Sequence, residues 1–135
     1  MRRRQHAAAL LLATVGSPAF AHHAIGGIYD STRQETIEGV VAEFRFANPH
    51  PFLFIEVSAD TGLRELWRLE MDNRFELARI GITAETFQPG DRVVARGSVA
   101  RIRPQALYLR RLDRPGDGLR YEQRGSTPTL TIDGR

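Results

Sequence analysis

Five segments of the sequence have the composition of β-strands. Each is rich in Val, Ile, Leu or Phe and is bounded by Gly, Pro, Asn or Asp, as strands joined by turns usually are. The predicted strands are residues 36–46, 52–59, 63–71, 92–102 and 106–112. Between the first two, residues 47–51 (ANPHP) predict a turn, because two prolines cannot sit within a central strand.

One short helix is predicted between the third and fourth strands. Asp72 or Asn73 can cap its N-terminus, residues 74–80 can form it, and Gly81 suits the position just after its end. This order favours an all-β (small α+β) fold, namely an OB-like five-stranded antiparallel Greek-key barrel with one short helix between strands 3 and 4. A flat antiparallel sheet crossed by one helix has the same order of elements and is the alternative.

The tight turn over residues 60–62 predicts how the second and third strands pair. With Ala59 opposite Leu63, side chains alternate between two faces. The face predicted to be buried carries Leu53, Ile55, Val57, Glu65, Trp67 and Leu69. The other face carries Phe52 opposite Glu70 and Phe54 opposite Arg68. We therefore expect Phe52, Phe54 and Arg68 to be covered or to form an interaction face.

Residues 1–21 have the features of a cleaved signal peptide. Three arginines precede the apolar stretch 7–15, and Ala19-Phe20-Ala21 provides the cleavage site. The apolar stretch is shorter than the roughly 20 residues that span a membrane. We expect a periplasmic or secreted protein with no membrane span after cleavage, exported by the general or the twin-arginine route. The expected divisions are an N-terminal segment at 22–35, the barrel at 36–112, and a tail at 113–135 in which 119–123 and 127–132 could form a loose hairpin.

The positive net charge of the chain comes from the predicted signal peptide. The chain has 19 Lys+Arg against 16 Asp+Glu, and a pI of about 10.1. Removing Arg2, Arg3 and Arg4 leaves 16 basic and 16 acidic residues, so no nucleic-acid partner is expected. The absence of cysteine excludes disulfides, cysteine-based zinc sites, thiol nucleophiles and a lipoprotein anchor.

The positions of the histidines suggest a metal site. Cleavage after residue 21 makes His22 the first residue, so its α-amine and its ring can chelate one ion, and His23 follows it. His50, on the proline-flanked turn, is the available third nitrogen donor. Such nitrogen ligation suits Cu(II), with zinc as the second choice. The strand register places Glu70 and Asp72 near His50, where either can orient the ring or join the ligands.

The N-terminal segment is long enough to bring these histidines together. Extended, residues 23–36 reach about 45 Å, whereas the first predicted strand is about 33 Å long. The expected path runs back beside that strand and lays apolar side chains on the outer face of the second strand. On this path Ile25, Ile28 and Tyr29 cover Phe52 and Phe54, and His22 arrives near the turn that carries His50.

Several motifs resemble those of a domain-of-unknown-function family of small exported bacterial proteins. They are AHHAIGG after the signal, IEGVVAEFRFANPHPFLFIEV, LWRLEM, and LARIGI followed by FQPGDRVVARG. The resemblance covers residues 21 to about 112 and supports export and architecture. It points to His22, His23, Asn48, Pro49, His50, Trp67, Glu70 and Gly90, which adds Asn48 to Glu70 and Asp72 as expected neighbours of the metal ligands. The chain departs from the family pattern at residues 24–25, 72–74 and 82.

The sequence favours a binding protein over an enzyme. Nucleophilic triads, P-loops, GxGxxG fingerprints and HExxH are absent. The leading hypothesis is an exported periplasmic protein that binds copper through His22, His23 and His50. The alternative is a metal-independent module that docks another envelope protein through Phe52, Phe54 and Arg68, with incidental histidines. A redox enzyme built on the same metal is the third hypothesis.

Overall fold

The computed structural model describes residues 25–133. A helical turn at residues 25–28 leads into seven strands and one further short helix. The elements are β1 (Tyr29–Arg45), β2 (Phe52–Ser58), β3 (Arg64–Glu70), α1 (Arg74–Arg79), β4 (Arg92–Ala100), β5 (Ala106–Arg114), β6 (Leu119–Arg124) and β7 (Thr127–Thr131). The prediction of an all-β fold is confirmed. Within residues 25–133 no helix is both long enough and apolar enough to cross a membrane.

The strands form one sheet in the order β3-β2-β1-β4-β5-β6-β7. These neighbours pair antiparallel. In addition, β3 pairs in parallel with β5, with Arg68, Leu69 and Glu70 opposite Ala106, Leu107 and Tyr108. As a result, each strand from β1 to β5 is hydrogen-bonded to at least two others.

The sheet has seven strands, whereas the sequence predicted five. The additional pair, β6 and β7, occupies the segment expected to be a loose hairpin, and β6 also pairs with β5. Leu119, Tyr121 and Gln123 alternate with more exposed residues and are buried. In the sequence, the surrounding Gly, Pro and Arg residues obscure this alternation of buried and exposed positions. The hairpin therefore belongs to the core sheet.

The predicted pairing of β2 with β3 is confirmed. Phe52 lies opposite Glu70 and Ile55 lies opposite Trp67. The predicted inner face contributes Leu53, Ile55, Leu69 and Trp67 to the main core. The turn after β2 closes as expected, since the Ala59 N–H donates to the Leu63 carbonyl at 2.8 Å.

The helix begins and ends close to the predicted residues. The Asn73 side chain accepts a hydrogen bond from the backbone N–H of Glu76 at 2.9 Å, so Asn73 is the N-cap. Gly81 follows the helix with φ +93°, a conformation that favours glycine. Leu77 is fully buried and anchors α1 to the core.

The first strand begins seven residues earlier than its predicted start. Residues 29–35 continue β1, and Tyr29 pairs with Ala100 of β4. The register shifts between Asp30 and Gln34. Residues 31–36 are exposed, which explains why they lack the alternation that marks a half-buried strand. Pairing of residues 29–30 and 34–35 with β4, on either side of this shift, holds the stretch in place.

Candidate functional site

His50 sits on a turn that the backbone holds in place. The turn joins β1 to β2 and lies against the start of α1. The carbonyl oxygens of Pro49 and Pro51 accept hydrogen bonds from the N–H groups of Arg74 and Met71, each at 3.0 Å. The two prolines that flank His50 are therefore fixed to the segment that follows β3, and the ring of His50 lies beside that strand's last residue, Glu70.

A chain of hydrogen bonds joins three residues that are distant in sequence. His50 Nδ1 lies 2.9 Å from Glu70 Oε1, and the Tyr29 hydroxyl donates to Glu70 Oε2 at 2.7 Å. The side chains of His50 and Glu70 are 19% and 12% exposed. The proximity of His50 and Glu70 expected from the strand register is thus present. Tyr29 is a partner of Glu70 that the sequence did not reveal.

These contacts shift the pKa values of all three groups. The hydrogen bond to Glu70 raises the pKa of His50 despite partial burial, and the charges of Glu70 and Asp72 add to this. Burial would raise the pKa of Glu70, but the hydrogen bonds from His50 and Tyr29 and the charges of His50 and Arg68 hold it below its usual value. Burial and then the bond to Glu70 raise the pKa of Tyr29, so this phenol stays protonated.

The ionised Glu70 determines which ring nitrogen of His50 is available. A carboxylate only accepts hydrogen bonds, so His50 must carry a proton on Nδ1. In the neutral ring, Nε2 then holds the free lone pair. Carboxylates commonly orient metal-binding histidines in this way and increase their basicity. His50 is therefore prepared to donate Nε2 to a ligand.

Asp72 lies near this chain without bonding to it. One of its carboxylate oxygens accepts from the backbone N–H of Asn73 at 2.7 Å, and the other accepts from Gln123 Nε2 at 2.7 Å. The Tyr121 hydroxyl in turn donates to Gln123 Oε1 at 2.7 Å. Asp72 influences His50 through its charge. The sequence did not identify Tyr121 and Gln123 as neighbours of the site, because alternation along residues 119–124 indicates a strand and not the residues that the strand packs against.

The remaining predicted site residues are divided between the turn and the N-terminus. Asn48 is exposed, precedes a cis peptide bond to Pro49, and forms no side-chain hydrogen bond with the described residues. His22 and His23 lie outside the described residues. Within residues 25–133, no group of three or more His, Asp or Glu side chains is arranged to hold a metal ion.

Comparison with known proteins identifies a family. Residues 9–105 match a family described as a family of unknown function (DUF6152). The chain belongs to this family. No curated protein and no solved structure matches this chain. The part of the chain that matches DUF6152 includes His22, His23, His50 and Glu70, whereas β6 and β7 lie beyond it.

The outer face of β2 and β3 is covered by arginines. The guanidinium of Arg68 lies 4.8 Å from the centre of the Phe52 ring, and that of Arg45 lies 4.7 Å from the centre of the Phe54 ring. Such cation–π contacts partly shield both rings, which are half-buried. Phe52, Phe54 and Arg68 therefore lie on the same face of β2 and β3, as the register predicted.

Residues 25–35, the described part of the N-terminal segment, do not cover that face. The expected path over Phe52 and Phe54 is replaced by a continuation of β1. Ile25 and Tyr29 pack with Ala100, Ala106 and Tyr108, and Ile28 is 49% exposed. The reason is the pairing of β1 with β4. This pairing places Tyr29 beside Tyr108 of β5 and within hydrogen-bond distance of Glu70. Tyr29 thus approaches the site from the side of Tyr108, with ring centres 5.7 Å apart.

The charges of His50 and Glu70 should make Glu70→Gln destabilising in a pH-dependent way. The raised pKa of His50 adds stability that is complete below its unfolded value of about 6.5 and is lost as the pH rises through its folded value. The lowered pKa of Glu70 adds stability above its unfolded value of about 4.3. We expect Glu70→Gln to lower the free energy of unfolding by about 1 kcal/mol near pH 5.5 and by less at pH 9.

Urea unfolding at the two pH values measures this difference. Glu43→Gln is the matched control, because Glu43 is exposed and pairs with Arg45, which does not titrate in this range. Its effect should be the same at both pH values. An equal loss for Glu70→Gln at both pH values would mean that the charge on His50 contributes nothing.

Proposed function

We propose that this protein is an exported, periplasmic or secreted, copper-binding protein. The ion is held by the α-amine and ring of His22 and by Nε2 of His50, with His23 as a further donor. The hydrogen bond between Glu70 and His50 Nδ1 carries the proposal, because it leaves Nε2 free in a half-buried position. The protein binds the ion for handling or delivery and is not an enzyme.

The position of residue 25 supports the approach of His22. Ile25 packs on the cluster that contains Tyr29, and the Tyr29 hydroxyl bonds to the same carboxylate as His50. Two residues separate His22 from Ile25, and the three steps of the chain between them span up to about 10 Å when extended. The N-terminal donors are therefore attached close to the residue pair that they must reach.

The donor set favours copper over zinc. One amine and two or three imidazoles are nitrogen donors, which Cu(II) prefers in a tetragonal arrangement, and Cu(II) is bound most tightly among the divalent metals of the first transition row. The α-amine has a pKa near 8 and an ordinary imidazole near 6.5, so both can lose their protons to a metal near neutral pH. The raised pKa of His50 implies that affinity increases with pH.

The strand pairing supports an OB-like Greek-key barrel as the scaffold of this site. The pairs β1–β2, β2–β3, β3–β5, β5–β4 and β4–β1 form a closed sequence of hydrogen-bonded neighbours. We propose that β1 to β5 are this barrel and that α1 lies between its third and fourth strands. The parallel pair β3–β5 is the step that brings Glu70 beside Tyr108, and hence toward Tyr29.

Titration with Cu(II) tests the proposed function. The protein beginning at His22 should bind one ion, and His50→Ala should weaken binding by about a hundredfold or more, because it removes a ligand and not merely a neighbour of one. His23→Ala is the matched histidine variant and should have a smaller effect. Equal, weak binding by all three proteins would reject the copper site.

An apolar groove favours a metal-independent interaction module as the second candidate. A groove of about 590 Å³ is lined by Phe54, Leu66, Arg68 and Ile102, among others. Leu66 and Ile102 are 57% and 96% exposed, and Arg68 Nε is buried without a hydrogen-bond partner among the described residues. An envelope protein with acidic and apolar side chains would complement this surface.

If the protein is an interaction module, cross-linking in envelope extracts should show loss of a partner protein in groove variants and not in histidine variants. A protein cross-linked to the wild type should be lost with Phe54→Ser, because this change removes the apolar floor of the groove. It should be retained with His50→Ala. Phe75→Ser is the matched control, since Phe75 is 70% exposed on α1 and does not line the groove. Equal loss in both phenylalanine variants would reject the module.

A further inference from the structure

A second cavity has Tyr29 in its wall, and we propose that it binds a small organic monocarboxylate. The cavity has a volume of about 290 Å³. Its walls come from the helical turn before β1, from β4 and β5, and from the turn between β6 and β7. The residues that matter for binding are Ile25, Tyr29, Ser98, Tyr108, Arg110 and Ser126. We call it the Arg110 cavity.

Arg110 supplies the positive charge of the cavity. Its Nε donates to the Ser98 hydroxyl at 3.3 Å, and its guanidinium lies 4.7 Å from the centre of the Tyr108 ring. Arg110 forms no ion pair with the described residues, whereas its neighbour Arg111 pairs with Asp113 and Glu122. The two terminal nitrogens of Arg110 donate no hydrogen bond to the described residues. They can therefore bind a carboxylate with two parallel hydrogen bonds.

The walls of the cavity fit an organic body. The rings of Tyr29 and Tyr108 lie 5.7 Å apart and pack with Ile25. Burial is the main cause that raises the pKa of both phenols. Both tyrosine side chains are therefore uncharged at neutral pH. The Tyr29 hydroxyl is engaged by Glu70, but the Tyr108 hydroxyl has no hydrogen-bond partner among the described residues. It can donate to the bound molecule.

Carboxylates near Tyr108 favour a ligand with one negative charge over a ligand with two. The carboxylates of Asp72 and Glu70 lie close enough to Tyr108 to raise its pKa. Both already accept hydrogen bonds, Glu70 from Tyr29 and His50 and Asp72 from Gln123. They would repel a second negative charge in the cavity. A phosphate or a dicarboxylate is therefore disfavoured.

The size of the cavity sets the scale of the ligand. A volume of about 290 Å³ lies at the lower end of the range for small-molecule sites. Acetate would leave the aromatic walls without a contact. A monocarboxylate with a small apolar or aromatic body would fill the space between Arg110 and the two tyrosines. Benzoate is a suitable probe of this class.

The test is titration of benzoate into the protein beginning at His22, treated with a chelator so that it holds no metal. Heteronuclear NMR should show saturable shifts at Ser98, Gly125 and Ser126. Arg110→Gln should weaken binding at least about tenfold, as expected for the loss of a charged hydrogen bond. Tyr108→Phe, which keeps the ring, should weaken it less. Arg111→Gln is the matched control and should bind as the wild type does.

Three results would overturn the proposal. They are no saturable shift at millimolar benzoate, equal binding by the Arg110→Gln protein, and phosphate or acetate binding as tightly as benzoate. If Arg110→Gln does not fold, Arg110→Lys keeps the charge, loses the paired donors, and should still weaken binding. Because metal is absent throughout, failure of this proposal leaves the copper site untouched, and failure of the copper site leaves this one untouched.

Discussion

Acetylation of the α-amine of His22 is expected to lower the Cu(II) affinity of the protein by about a hundredfold or more. Acetylation converts the amine into an amide, which no longer offers the metal a free lone pair. The amine and the ring of His22 then no longer chelate one ion. Changes to residues that only orient ligands cost 10- to 100-fold in affinity, and the loss of a ligand costs more.

Competition with a chelator of known affinity measures this loss. Acetylation changes none of the described residues, so thermal unfolding without metal should be the same with and without it. Combining acetylation with His50→Ala should weaken binding by less than the sum of the separate losses, because either change alone destroys the same site. Unchanged affinity in the acetylated protein would show that the N-terminal amine is not a ligand.

Gly97→Ala is expected to destabilise the fold more than any other single change considered above. Gly97 lies in β4, where the register with β5 shifts between Arg96 and Gly97. A Cβ atom at this position would overlap the carbonyl oxygen of Tyr108 and lie 3.0 Å from the Cβ of Leu107. Both atoms are fixed to the backbone of β5, so no side-chain rotation relieves the contact. The two strands must move apart.

We expect this change to lower the free energy of unfolding by about 3 kcal/mol, at the upper end of the usual cost of overpacking. Urea unfolding measures it. Gly116→Ala is the matched control, because a Cβ there meets no atom within 4 Å and φ is not positive. It should be neutral or slightly stabilising. Equal stability of the two variants would show that close approach of β4 to β5 is not required.

The features of the fold that the sequence predicts correctly are those marked by short patterns of neighbouring residues. The register of β2 and β3 follows from one tight turn and from strict alternation, as the buried Leu53, Ile55 and Leu69 confirm. The helix follows from Asn73 before it and Gly81 after it. The contact of His50 with Glu70 was predictable because both lie at the same end of this one hairpin.

The parts that were missed depend on contacts between distant segments. The early start of β1 is held by backbone pairing with β4, which leaves no mark on the exposed side chains of residues 31–36. The bond from Tyr29 to Glu70 requires the parallel pairing of β3 with β5. Local alternation contains no information on such pairing, so neither Tyr29 nor Gln123 could be assigned to the site in advance.

The central claim is that His50 donates Nε2 to a copper ion also bound by His22. Glu70 makes this possible by holding Nδ1, and Tyr29 holds Glu70 from the other side. A neutral, oriented imidazole is the form that binds a metal. The number of imidazoles on the ion is therefore the quantity that distinguishes this site from incidental binding by the N-terminus alone.

Pulsed electron paramagnetic resonance of the protein with equimolar Cu(II) counts these imidazoles directly. The remote nitrogen of each bound ring modulates the signal, and the pattern differs between one ring and two. We predict at least two rings in the wild type and one fewer in the His50→Ala protein, at metal concentrations that saturate both. Identical spectra from the two proteins would contradict the account, because His50 would then not be a ligand.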